Sequence, residues 1–154
     1  MKGNEKMIEH LNLRLAEELT AINQYMVHAE LCNNWRYEKL HKEIEKRAIL
    51  EMKHAEKLIA RVLFLEGRPV VSNLNKMHIG DEVPKMHMND HMLEVDALRG
   101  YNESISVAAE LGDNGTREML ESILKDEEEH IDEIESHLDQ IKQMGVENYL
   151  SGQI

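Results

Sequence analysis

Two Glu-x-x-His tetrads, Glu51-Met52-Lys53-His54 and Glu127-Glu128-Glu129-His130, fall inside the apolar stripes of two different predicted helices. Three residues apart, the Glu and His of each tetrad share one helix face. The first stripe reads Leu40, Ile44, Arg47, Glu51, His54, Leu58, Val62, and the second Leu120, Ile123, Glu127, His130, Ile134, Ile141. Two more stripes carry an acid in the same way: Glu18 among Leu11, Leu15, Ile22, Tyr25 and Ala29, and Glu94 among His91, Leu98, Tyr101 and Ile105. An ionised carboxylate in an apolar core is costly unless it is paired or bound to metal. Four of them on four helices demand a counter-charge, which two divalent ions supply. Carboxylate and imidazole donors favour iron or manganese over thiolate-seeking metals.

The rest of the chain accommodates four such helices. Turn signals stand at Asn33-Asn34, Glu66-Gly67-Arg68-Pro69, Gly112-Asp113-Asn114-Gly115 and Gly145. They delimit helices over roughly 5–34, 36–65, 83–111 and 116–144, with Pro84 in the first turn of the third and Thr116 as N-cap of the fourth. Glu147 to Leu150 predicts a short fifth helix. Short links after the first and third helices make antiparallel hairpins, while the roughly 17-residue link from Glu66 to Glu82 is long enough to cross the length of the bundle. The predicted fold is all-α: one domain over 1–154, a four-helix bundle with a long crossover between helices two and three. Aromatic residues at only 4% agree with helices rather than strands.

The acids fall at one level of this bundle. Glu18 and Glu51 are equidistant from the first turn, as Glu94 and Glu127 are from the second. Glu18 to Glu94, Glu51 to Glu127 and His54 to His130 are each 76 positions apart, which implies a pseudo-two-fold axis through the site although the halves share little other identity.

A net charge of −12 argues against a nucleic-acid partner, which needs clustered Lys and Arg. It suits metal cations, and equally plain solubility. Cys32 is the only cysteine, so the chain holds no disulfide framework, zinc ribbon or iron–sulfur motif, and a reducing compartment is expected. With neither an apolar leader nor a stretch of about 18 apolar residues, a cytoplasmic protein without a membrane span is expected.

Glu18, both Glu-x-x-His tetrads, Glu94, the opening Met1-Lys2-Gly3, the run Ala21-Ile22-Asn23-Gln24-Tyr25 and Phe64-Leu65-Glu66-Gly67 together resemble a bacterioferritin over essentially the whole chain. The resemblance implies a ferritin-like bundle that assembles into a hollow homo-oligomer of 24 subunits. It implies a ferroxidase: two iron ions per subunit held by Glu18, Glu51, His54, Glu94, Glu127 and His130, with Fe(II) oxidised by oxygen or hydrogen peroxide and stored as ferric mineral. It also implies a haem b shared between two subunits through Met52, and a ferredoxin-type reductant for iron release. Read without the family, Met52 is one of ten methionines and reads better as a packing residue, so the haem rests on the resemblance alone. Tyr25 is open to two readings, an electron or hydrogen-bond donor near the site or a core filler.

The chain departs from the pattern at Lys46 and Leu50, where some members carry a His and an Asp that hold an additional iron on the inner surface. It departs again at Leu58 and Glu133, where those members have Tyr and Trp. Iron is therefore expected to pass through the di-iron site or the oxidant to be used differently. The stretch Met77, His78, Met86, His87, Met88, His91 and Met92 admits copper(I) or transient iron, but reads better as a crossover and helix start with packing Met and solvated His. His10, His28, His41 and His137 show no partner set, Glu128 and Glu129 are expected on a solvated face, and Cys32 in the core or an interface. A rubrerythrin-type peroxidase would share the bundle but usually appends a four-Cys domain. A haem-carrying structural subunit would lack some of the six ligands.

Overall fold

The computed structural model describes all of residues 1–154. Five helices follow one another, α1 (Glu5–Asn34), α2 (Glu38–Phe64), α3 (Val83–Glu110), α4 (Asn114–Met144) and α5 (Val146–Ser151), and there is no strand. This is the all-α bundle that the stripes predict. Asn33 and Asn34, read as a break, stay helical, and the left-handed residue is Arg36 at φ 67°. After α2 it is Glu66 at φ 59° rather than Gly67. The backbone explains both. Tyr37 N–H donates to the Cys32 carbonyl at 2.9 Å and Arg36 N–H to Asn33 at 3.1 Å, and the same paired closure ends α2 at Gly67 and Glu66 and α3 at Asp113 and Gly112. It satisfies the last carbonyls and fixes one position at positive φ, whichever residue stands there.

The cap of α4 also differs from expectation. The helix begins at Asn114, so it is the Asp113 carboxylate that accepts from the Thr116 N–H, at 3.1 Å. Thr116 lies buried in the first turn, its hydroxyl donating to Asp113 at 2.6 Å and accepting from Arg61 Nε at 2.9 Å. Arg61 pairs with Asp113 at 3.0 Å and so ties the end of α2 to the start of α4.

The crossover lies along α1, secured by a ladder of polar side chains on that helix. Asn12 Oδ1 accepts from Val70 N–H at 2.9 Å, Thr20 Oγ1 from Asn75 at 2.9 Å, Gln24 Oε1 from His78 at 3.1 Å and His28 Nε2 from Gly80 at 2.9 Å. Multiples of four keep these residues on one stripe of the helix. The extended strap thereby satisfies backbone donors that no secondary structure would. It delivers α3 antiparallel to α1, which the bonds of Arg14 to Ser104, at 2.9 Å, and Gln24 to Asp90, at 2.8 Å, bear out.

Two apolar clusters fill the bundle. One, toward the α1 N-terminus, gathers Leu11, Leu15, Leu58, Val62, Leu120 and Ile123; the other gathers Tyr25, Ala29, Cys32, Leu40, Ile44 and Met86. The stripe residues Ile22, Leu98, Ile105 and Ile141 are only half-buried. Between the clusters lies a polar slab containing all four core carboxylates.

The histidines correct the sequence reading. Buried His28 donates from Nδ1 to Asp90 at 2.9 Å, His10 meets Ser104 at 3.1 Å, and His41 meets the Ala29 carbonyl at 2.9 Å. His87, expected in solvent, is fully buried and stacks on His137 with ring centroids 4.7 Å apart. The Tyr149 hydroxyl lies 2.9 Å from His87 Nε2 and 2.7 Å from His137 Nδ1, and His137 Nε2 reaches Glu43. This cluster fastens α5 to the bundle. The rest of the Met- and His-rich stretch diverges: Met86 is buried in the core, whereas His78, Met88 and Met92 face solvent and His91 pairs with Glu135 at 2.9 Å.

Burial, reinforced by His137, Arg47 and His28, lowers His87 to about 3, against about 6.5 for a free imidazole. Between those values the unfolded chain binds the extra proton, so stability falls as pH drops through that window, by up to ~1.4 kcal/mol per pH unit. In urea titrations His87→Leu is therefore expected to flatten the acid limb relative to wild type. Parallel midpoint-against-pH curves for the two proteins would reject this assignment.

Candidate metal centre

Each long helix contributes its stripe acid to the polar slab, and the six residues predicted from spacing converge there. Glu18, Glu51, Glu94 and Glu127 are 1–2% exposed, His54 is fully buried and His130 is 4% exposed. His54 Nδ1 lies 2.9 Å from Glu127, 3.2 Å from Glu51 and 3.5 Å from Glu18. His130 Nδ1 lies 2.8 Å from Glu51, 3.4 Å from Glu94 and 3.6 Å from Glu127. Two donor sets follow, Glu18, Glu51, His54 and Glu127 on one side and Glu51, Glu94, Glu127 and His130 on the other, each with ligand atoms within 4.8 Å of one another. Glu51 and Glu127 belong to both. Exchange of one set for the other maps every member onto the residue 76 positions away, so the pseudo-two-fold axis passes between the two shared carboxylates.

The symmetry extends outward to two tyrosines that sequence reasoning did not pair. The Tyr25 hydroxyl donates to Glu94 and the Tyr101 hydroxyl to Glu18, each fixing the acid that only one set uses. Tyr25 and Tyr101 are also 76 positions apart, which was the available signal. Tyr25 fits both readings open for it: its ring fills the apolar cluster and its hydroxyl hydrogen-bonds a carboxylate of the site. Above Tyr25 stands buried Arg47, its guanidinium 5.2 Å from the ring centroid and balanced by Asp90 at 4.0 Å, Glu43 at 3.7 Å and Glu133 at 3.7 Å.

The electrostatics are those of a site short of cation. Burial, with Glu51 as neighbour, holds Glu18 well above the usual carboxylate range; burial and Glu127 push Glu94 up to about 8. Burial alone would lower both imidazoles. Hydrogen bonds to Glu127, Glu18 and Glu51 instead raise His54 far above normal, and those to Glu127, Glu51 and Glu94 push His130 up to about 12. Oε2 of Glu18 and Oε2 of Glu94 have no hydrogen-bond partner, and Oε1 of Glu51 and of Glu127 have only an imidazole nitrogen beside them, at 2.8 and 2.9 Å. Buried oxygens without partners are costly unless something absent from the protein itself satisfies them. A donor set of carboxylates and imidazoles that already shares two members suits a pair of hard or borderline divalent ions. A cleft of about 320 Å³ between α1, α3 and the crossover, flanked by Glu17, Asn75, His78 and Asp96, reaches the carboxylates from outside.

Residues 8–144 match the ferritin-like domain family. Over 149 residues, 97% of this chain and 92% of the relative, the sequence is 41% identical to a bacterioferritin of Brucella melitensis. It is 40% identical to one of Rhodobacter capsulatus with the same coverage, and 39% identical to one of Streptomyces coelicolor over 98% of this chain and 90% of the relative. The chain belongs to the bacterioferritin family. Of the residues at which it departs from the bacterioferritin pattern, Leu50 is half-buried on α2, Lys46 is exposed, Leu58 is buried in the apolar cluster and Glu133 reaches Arg47. Met52 is 46% exposed on α2 and lines a groove of about 450 Å³ with Ile22, Met26, Ala48 and Ile49. No helix of the chain is long and apolar enough to cross a membrane.

Proposed function

We propose that this chain is the subunit of an iron-storing shell and a ferroxidase, with Glu18 and His54 holding one Fe(II), Glu94 and His130 the other, and Glu51 and Glu127 bridging them. The observation that carries this reading is the set of four buried carboxylates around two imidazoles, with an oxygen of Glu18 and one of Glu94 left unpartnered. Two Fe(II) ions bound there as substrate supply one electron each to oxygen or hydrogen peroxide. The chain's own residues set the geometry. Glu51 and Glu127 hold both ions within one electrostatic environment, Tyr25 and Tyr101 orient Glu94 and Glu18, and the flanking apolar clusters limit water. The cleft beside Glu17 and Asp96 offers cations an acidic approach.

Storage requires a cavity that one bundle does not enclose, so the reading includes assembly into a homo-oligomer, 24 subunits by family likeness, in the cytoplasm. The Met52 groove supports the haem. It is apolar except for Glu30 and Glu45, and its Met26, Ile49 and Met52 are 45–52% exposed, as suits a thioether that meets a flat apolar group shared with a second copy. A haem bound there would supply one-electron transfer, suited to passing electrons from a ferredoxin-type reductant to stored Fe(III), which then leaves as Fe(II). With Leu50 and Lys46 in place of inner-surface ligands, iron passes inward through the centre itself.

Analytical ultracentrifugation of the purified protein, with iron content and visible spectrum recorded before and after aerobic Fe(II) addition, tests all three parts. A particle of about 24 subunits that retains many irons per chain and shows a bis-Met haem spectrum is expected. A monomer or dimer that holds two irons would leave a small di-iron oxidoreductase of rubrerythrin type as the better reading.

A further inference from the structure

The pseudo-two-fold symmetry of the centre fails at one pair of positions beside the imidazoles. His54 Nε2 lies 2.8 Å from Asp126, whose carboxylate is about one-third exposed at the surface of α4. The position related to Asp126 by the 76-residue offset is 50, and Leu50 stands there. His130 Nε2 accordingly makes no hydrogen bond within the chain, although its Nδ1 faces Glu51 and Glu94 just as that of His54 faces Glu127 and Glu18. A carboxylate that accepts from the outer ring nitrogen fixes the imidazole tautomer and orientation and makes the inner nitrogen a better donor. One half of the centre has this support and the other lacks it.

A second asymmetry acts in the same direction. Position 47 is related by the offset to 123; buried Arg47 lies over the Tyr25 ring, on the Glu94 side, whereas Ile123 is apolar. Its partners Asp90, Glu43 and Glu133 offset much of that charge, so Asp126 is the larger difference.

We propose that Asp126 is a positioning residue that makes the two metal positions unequal, the ion at Glu18 and His54 being held more tightly than the ion at Glu94 and His130. This rests on the reading of the site as a two-ion centre. Its consequence is an order of filling and emptying: the His54 position is occupied first and retained, and the His130 position is the one that exchanges.

Cobalt(II), which air does not oxidise, is the probe, bound at fixed pH to the assembled protein and followed by calorimetry and visible absorption. Two neighbouring dications repel, so stepwise binding by the wild type does not separate unequal sites from equal ones; single-site variants do. His130→Ala, which keeps the Glu18 and His54 half, is expected to bind one Co(II) at least ~10-fold more tightly than His54→Ala, which keeps the other half. Adding Asp126→Leu should erase that advantage in the His130→Ala chain and leave the His54→Ala chain unchanged. Equal affinities in the two variants, or equal weakening of both by Asp126→Leu, would overturn the proposal. A readout that needs neither histidine variant is the proton spectrum of wild type carrying one Co(II) per chain. One shifted, slowly exchanging imidazole N–H is expected, lost in Asp126→Leu; two half-populated signals would overturn the proposal. A wild-type chain that binds fewer than two Co(II) would overturn the two-ion reading and this inference with it, whereas two equivalent sites would overturn only the inference.

Discussion

Two equivalents of a divalent ion added to the metal-free protein near pH 7 are expected to release about four protons per chain. In the empty centre Glu18 and Glu94 are raised by burial and protonated, and His54 and His130 are raised by their carboxylate partners and charged; burial beside Glu127 raises Glu51 too, but it meets the His130 imidazolium at 2.8 Å and stays ionised, as Glu127 does against His54 at 2.9 Å. Those six residues then sum to no net charge. When two dications bind, all four acids ionise and both imidazoles turn neutral, and the sum with the metals is again zero. The exchange is two dications for four protons. Affinity for the pair should therefore rise with pH, the logarithm of the two-ion constant gaining about four per pH unit while all four protons remain in place. As pH climbs past about 8, where Glu94 loses its proton without metal, the slope should fall to about three. Calorimetry in buffers of different ionisation enthalpy reads the proton count directly. A count of one or none would show that the empty centre is not protonated as described.

The second large effect separates shared from unshared ligands. Glu51→Gln or Glu127→Gln should abolish the binding of both ions and slow rapid Fe(II) oxidation by ~1000-fold, more than the 10–100-fold that an outer-shell partner is typically worth. Either substitution removes a donor from both sets at once. Glu18→Gln removes a donor from one set only, so it should leave about one bound ion per chain, at Glu94 and His130, while still losing the fast two-electron phase, which needs both. Stopped-flow absorbance of ferric product together with metal stoichiometry distinguishes the two patterns. A Glu127→Gln chain that oxidises Fe(II) at the wild-type rate would place the chemistry elsewhere.

Much of this centre was legible because its chemistry obeys helix periodicity. Glu18, Glu51, His54, Glu94, Glu127 and His130 interrupt apolar stripes at a common level, and a stripe records burial without any knowledge of partners. What remained hidden depends on contacts between elements. His28 and His137 carry no local signal of Asp90, Gly80, Glu43 or Tyr149, which reach them from other helices or the crossover. The polar residues Asn12, Thr20, Gln24 and His28 do recur at multiples of four, but their purpose is clear only once an extended segment lies across them. Thr116 was read as a cap because caps favour Thr as well as Asp, and the choice fell to where the preceding turn closes, at Gly112 and Asp113. Tyr101 lies within reach of the 76-residue offset, as the counterpart of Tyr25, whereas Asp126 does not, because its counterpart is Leu50.

The division of the core into two apolar clusters with a polar slab between them has a mechanical meaning. Neither cluster contributes a ligand, yet each clamps the four helices, one on either side of the acids, like the two ends of a vice whose jaws meet in the middle. Close-packed interiors resist being spread, so the spacing of the carboxylates is set by Leu58 and Ile123 on one side and Ile44 and Met86 on the other. Ion size is then judged by residues that never touch an ion. A cation with longer metal–oxygen bonds would have to strain both clamps at once, and trimming a clamp residue such as Ile44 should widen the range of ions admitted without altering a single donor.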